Sequence, residues 1–191
     1  MSAAPPEPTQ RLFFALWPDE KQRHALARAT AKATRSCGGR PVPAANLHVT
    51  LAFLGSVPRR RVDDLRAIAQ HAAEAFSQGA PLMLRFSALT HWPRQQILCA
   101  LGAEEPPLAQ ALAGALKDAA AAAGFTPDLK PFHAHVTVAR KVAHAPPRRV
   151  LRPLPWRCDS FALIDSRTEA GGPVYSVIES YPLVKAEKEH E

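Results

Sequence analysis

One strand–helix–strand unit is written twice in this chain, and that repetition limits what it can fold into. The tetrad His48-Val49-Thr50-Leu51 returns as His135-Val136-Thr137-Val138. Upstream, Arg11-Leu12-Phe13-Phe14-Ala15-Leu16 returns as Gln96-Ile97-Leu98-Cys99-Ala100-Leu101, and each block is followed by acidic residues and a helical run. The offsets nearly agree: 85 residues from Arg11 to Gln96 and 87 from His48 to His135. Chance can supply one tetrad match. Two matches in the same order at almost one offset indicate an internal duplication, hence two lobes related by approximate two-fold symmetry.

In an extended strand successive side chains alternate faces. His48 and Thr50 then point one way, with Val49, Leu51 and Phe53 the other; His135 and Thr137 likewise oppose Val136 and Val138. Each copy buries a branched apolar face and presents one imidazole and one hydroxyl. A lone histidine of this kind is commonly part of a polar face. A duplicated His-x-Thr is a reason to expect chemistry, because two imidazoles near neutral pH can supply one proton acceptor and one proton donor. Arg140, five residues beyond His135, falls on the opposite face unless the strand ends or bulges near Ala139.

The remaining chain reads as alternating elements. Leu12 to Trp17 is a strand, and Asp19-Glu20 after Pro18 opens a helix to about Ser36. Asn46 to Leu54 is the first histidine strand, closed by Gly55. A basic amphipathic helix runs from Arg59 to about Phe76. Strands over 81–90 and 95–101 precede an Ala-rich helix opened by Pro106-Pro107 and ending at Gly124. Phe132 to Arg140 is the second histidine strand. The Pro-rich stretch 145–155 reads as a loop or lobe crossover, and Asp159 to Ser166 with Val174 to Leu183 as a hairpin turning at Gly171-Gly172. Seven or eight strands and three helices make an α+β protein. Residues 10–185 are expected to form a single bilobal domain, between disordered tails at 1–9 and 186–191.

The formal charge of +7 and pI near 9.8 favour an anionic partner, nucleic acid foremost. Arg59-Arg60-Arg61 and Arg148-Arg149 are fair phosphate contacts, though not specific ones. Cys37, Cys99 and Cys158 lack a CxxC spacing and a nucleophile's His/Asp context, which fits reduced thiols in a cytoplasmic protein. The N-terminal stretch has neither a basic n-region nor a long apolar run, and no window reaches membrane-spanning length. His133-Ala134-His135 could pair on a metal, but no Asp or Glu follows Asp128 on that segment to complete the set, so no metal is expected. His71, His91 and His144 have no partner pattern and read as structural or solvated.

At these residues the chain resembles the two-histidine (2H) phosphoesterase superfamily, and within it the RNA 2′,3′-cyclic phosphodiesterase branch, historically called 2′-5′ RNA ligase. The likeness covers Arg11 to Leu16, Asn46 to Gly55, Phe132 to Arg140 and the Ser166…Gly172…Tyr175 hairpin. One departure is Ala134, where branch members usually carry proline before the second histidine. The resemblance implies two antiparallel sheets flanking a central cleft with helices outside, and one histidine motif from each lobe. It implies His48 as proton donor, His135 as proton acceptor, and Thr50, Thr137 and Arg140 as substrate-binding groups at the phosphate, without metal or cofactor. The implied reaction is hydrolysis of RNA or nucleotide 2′,3′-cyclic phosphate ends to 2′-phosphomonoesters, by a monomer with no membrane partner. Two alternatives share these motifs: a ligase joining 2′,3′-cyclic phosphate to 5′-hydroxyl ends, and a non-catalytic RNA-binding module.

Overall fold

The computed structural model describes residues 7–77, 80–102, 104, 106–146, 150–170 and 172–184. In chain order these form β1 (Thr9–Leu16), α1 (Glu20–Ser36), β2 (Arg40–Pro41), β3 (Val49–Pro58), α2 (Val62–Phe76), β4 (Leu82–Trp92) and β5 (Ile97–Gly102). There follow α3 (Pro107–Ala122), β6 (His135–Arg140), β7 (Val150–Cys158), β8 (Ser160–Glu169) and β9 (Gly172–Pro182). The strands build two antiparallel sheets, ordered β3-β1-β8-β9 and β2-β6-β5-β4-β7. The duplication is visible in that order. In each sheet a histidine strand pairs with its repeat strand, β3 with β1 and β6 with β5.

The helices cross over between the lobes. α1 leaves β1 of the four-stranded sheet and packs on β2, β6 and β7 of the five-stranded one. α3 leaves β5 of the five-stranded sheet and packs on β3 and on α2, which itself lies against β9. One continuous apolar cluster therefore serves both sheets, including Leu12, Phe14, Val49 and Leu51 from one and Leu84, Phe86, Val136 and Trp156 from the other. Fully burying each large side chain stabilises the fold by roughly 1.5–3 kcal/mol. A second, small cluster of Phe13, Ala15, Ala162 and Ile164 lies under Trp17 and Tyr175.

Local chemistry sets the helix boundaries. Asp19 caps α1, accepting the Gln22 backbone N–H at 2.7 Å, and that bond holds its carboxyl below the usual range. Gly38 follows α1 at φ +65°, a conformation only glycine adopts cheaply. Arg59–Arg61 is a 3-10 turn leading into α2 rather than its first α-helical turn. Arg61 is committed to the fold: it donates to the Ala123 carbonyl at the end of α3 (2.7 Å), pairs with Asp64 (2.9 Å) and lies 4.0 Å over the Phe125 ring. Arg61→Ala should therefore cost about 2 kcal/mol through a lost cap and cation–π contact. Denaturant unfolding checks this; an unchanged midpoint would leave Arg61 as a merely solvated cation.

Other boundaries also differ from the sequence expectation: the histidine strands begin at Val49 and His135 rather than Asn46 and Phe132. Gly55 does not end the first histidine strand; at φ +70° it sits in a bulge, and β3 runs on to Pro58. The Pro-rich stretch is not all loop, because 150–158 form β7 on β4. β7 is an edge strand, which accommodates Pro155 opposite Arg85 because the donor it lacks can face the unpaired side. At the start, Thr9 already pairs with Pro58, the Pro8 carbonyl accepts from Arg59, and Glu7 pairs with Arg60 at 2.6 Å. Residues 1–6, the tail at 186–191, Gly171 and Arg148-Arg149 lie outside the described residues.

Candidate active site

Matched bulges aim the two histidine strands. In β3, Thr50 opposes Ala15 and Ala52 opposes Phe14, which leaves Leu51 as an extra residue. Leu51 and Ala52 both turn inward, so Phe53 rotates to the cleft side and is 37% exposed. This corrects the expectation that Phe53 shares the buried face. In β6, Thr137 opposes Cys99 and Ala139 opposes Leu98, leaving Val138 as the extra residue. Val138 and Ala139 are both buried and Arg140 emerges beside Thr137. Strict alternation would have sent Arg140 away; the bulge, one residue before Ala139, returns it. Phe53 and Arg140 are thus equivalent positions of the two repeats.

Both imidazoles are held by the same backbone device. His48 donates from Nδ1 to the Asn46 carbonyl at 2.8 Å, and His135 from Nδ1 to the His133 carbonyl at 2.7 Å. A carbonyl only accepts, so it fixes the proton on Nδ1 and makes Nε2 the basic nitrogen of each ring. Asn46 is anchored in turn, its side-chain amide donating to the Pro173 carbonyl at 2.9 Å. His48 stacks on Trp17 at 5.3 Å and meets Phe13 at 5.0 Å and the edge of Tyr175 at 5.1 Å. His135 packs against Trp92 at 4.8 Å. Burial among these rings pushes His48 down to about 4; the Asn46 bond opposes the shift, and the charges of Arg140 and His135 add to it. So held, His48 is neutral at pH 7.

All five residues singled out from sequence, His48, Thr50, His135, Thr137 and Arg140, line one cleft of about 410 Å³. That volume suits a nucleotide-sized ligand. The sequence reading missed Arg11, Tyr175, Ser166 and Phe53, which line it too. Arg11 lies 5.5 Å over the Phe53 ring, and Arg140 donates to the Tyr175 hydroxyl at 3.4 Å. Arg11 had a legible signal: one strand alternation places it with Phe13 and Ala15 on a single face of β1. For Tyr175 the family resemblance marked the hairpin but not its place in the cleft, since only the β8–β9 pairing carries it to His48.

The other candidates separate from the cleft. Cys99 sits 3.9 Å from the Thr137 hydroxyl, but burial pushes its thiol up to about 12, so it is no thiolate nucleophile at neutral pH. His133 is exposed and contributes its carbonyl to His135. Among the described residues no three His, Cys, Asp or Glu stand together as a metal site. His144 bonds the Ser36 carbonyl at 2.8 Å, and neither it, His71 nor His91 lines the cleft. No helix among the described residues is long and apolar enough to cross a membrane.

A family model described as the 2′-5′ RNA ligase superfamily matches residues 17–170. The RNA 2′,3′-cyclic phosphodiesterase of Thermus thermophilus is 33% identical over 184 residues, 91% of this chain and 90% of that protein. The enzyme of that name from Escherichia coli is 36% identical over 138 residues, 71% of this chain and 74% of its own. Among solved structures, Escherichia coli LigT complexed with 3′-AMP superposes with a TM-score of 0.82 at 27% identity, over 93% of this chain and all of that one. The residues matched by the family model, 17–170, include both histidine motifs.

Proposed function

The chain belongs to the 2′-5′ RNA ligase superfamily, and from that membership we propose that it hydrolyses RNA 2′,3′-cyclic phosphate ends to 2′-phosphomonoesters. The observation that carries this reading is the pair of identically clamped imidazoles lining one cleft with two hydroxyls and a guanidinium. Relatives named RNA 2′,3′-cyclic phosphodiesterase support the substrate class. His135 Nε2 takes a proton from water as its oxygen attacks phosphorus. The P–O3′ bond breaks, and His48 Nε2–H delivers a proton to the departing O3′. Thr50, Thr137 and Arg140 hydrogen-bond the non-bridging oxygens as charge builds on them. Strain in the cyclic diester lowers the demand on the protein, and general acid and base contribute roughly 10²–10⁴-fold each. The step requires no metal, so EDTA should leave the rate unchanged.

A donor held near 4 must be recharged by its substrate. A bound phosphate monoanion offsets Arg140 and favours the His48 imidazolium, which raises its pKa in the complex. The pair works while it holds one proton, and the limbs of its bell-shaped profile belong to the pair jointly. The acid limb of kcat/KM, which reports the free enzyme, should fall near pH 4, and that of kcat at higher pH. Coincident limbs would mean that binding does not recharge His48. The deciding experiment is incubation with an RNA ending in 2′,3′-cyclic phosphate and mapping of the product. A 2′-phosphomonoester is expected. A 3′-phosphate would reverse the assignment of the leaving oxygen, and a joined product would replace hydrolysis with ligation.

A further inference from the structure

Beyond Tyr175 the cleft opens into a second hollow of about 250 Å³, which shares Asn46, Arg140 and Tyr175 with the first. Its cations are brought together by local geometry that is costly without a ligand. β2 pairs with the end of β6 so that Arg40 stands directly opposite Arg140. Like charges directly opposite across a ladder destabilise it. The approach also depends on Gly39: a Cβ there would meet the Arg140 carbonyl at 2.9 Å and Val142 Cγ2 at 2.8 Å. Lys141 follows at φ +54°, a left-handed conformation that a non-glycine side chain rarely adopts. Among the described residues no ion pair engages Arg40, Arg140 or Lys141, although Glu169 also lines the hollow.

The hollow on the other side of the cleft differs in kind. It is lined by Phe53, Trp92 and Phe132, and its two lysines are already engaged. Lys117 donates to the Lys130 carbonyl at 2.6 Å, and Lys130 pairs with Asp128 at 3.5 Å. That side suits an apolar or aromatic group, whereas the Arg40 side gathers three cations against the single carboxylate of Glu169.

We infer that the Arg40–Lys141 hollow is a second phosphate subsite, which takes the phosphate on the 5′ oxygen of the terminal nucleotide. The inference rests on the cyclic phosphodiesterase reading for its direction. A 2′,3′-cyclic phosphate ends its chain, so the only neighbouring phosphate is the 5′ one. Arg140 lies between the two positions and serves both. The subsite makes the protein a reader of chain-borne ends in preference to bare nucleosides.

The test compares three substrates: adenosine 2′,3′-cyclic phosphate, the same molecule with a 5′-phosphate, and the same with a 5′-methyl phosphate diester, which copies a chain linkage. The two 5′-charged substrates should be favoured about tenfold or more in kcat/KM, as one charge-assisted contact supplies. Their advantage should shrink as salt rises, because the added contact is one between exposed charges that ions screen. Arg40→Gln combined with Lys141→Gly should erase the preference while hydrolysis of the bare cyclic nucleotide persists. Glycine at 141 keeps the left-handed backbone without strain. Lys117→Ala with Lys130→Ala should leave the preference intact. Equal kcat/KM for the three substrates in the unaltered protein, or a preference surviving in the Arg40/Lys141 variant, overturns the subsite. Failure to hydrolyse any of the three would instead count against the parent reading, and is told apart by the bare cyclic nucleotide.

Discussion

His48→Ala and His135→Ala should each lower kcat by at least about 10², because each removes one of the two proposed proton-transfer partners. The fold should survive both changes, since each ring lines the cleft and lies outside the shared apolar core. The double variant should be worse by less than the product of the two losses, as expected of groups acting in one step. Single-turnover hydrolysis of a cyclic nucleotide measures all three. Near-normal turnover by either single variant would end the paired assignment. The clamps give a subtler control: Asn46 holds His48 through its carbonyl, which every residue possesses, so Asn46→Ala keeps that clamp while removing the Pro173 contact.

Arg140→Met should cost about 10²–10³ in kcat, the scale of losing one preorganised donor to a developing oxyanion. It should also have a signature that a packing defect lacks. Burial is the largest cause of the low His48 pKa, but the Arg140 charge adds to it, so its removal should raise that value. The acid limb of kcat/KM then moves to higher pH. Arg140→Lys should fall between, keeping the charge while giving up the forked geometry. A rate loss with an unmoved acid limb would place Arg140 away from His48 in the working enzyme.

What could be read from sequence was whatever depends on period and repetition. The two offsets located β1, β3, β5 and β6 and singled out His48 and His135, because a duplicated polar pair on an apolar strand stands out from a core pattern. Bulges escape such reading. Leu51 and Val138 are ordinary branched residues, and nothing in their identity announces an unpaired place in the ladder. Phe53 was therefore assigned to the wrong face, and Arg140 depended on a bulge that period alone could not locate. Edge position was equally hidden: the prolines of β7 argue against a strand until its neighbour on one side is known to be missing. Tyr175 enters the site through pairing between distant segments, which one-dimensional spacing does not record.

The crossed helices carry a mechanical consequence. Since α1 belongs by sequence to one lobe and by packing to the other, and α3 does the reverse, the lobes are laced together like two hands with interlocked fingers. Spreading the cleft would drag each helix across the sheet it grips, so no hinge is available at low cost. On the proposed reaction, substrate and product would then pass through an aperture that the crossed helices resist widening. Recognition then falls to the reach of the ligand rather than to the motion of the protein, and an end too bulky to thread the gap is refused before any proton moves.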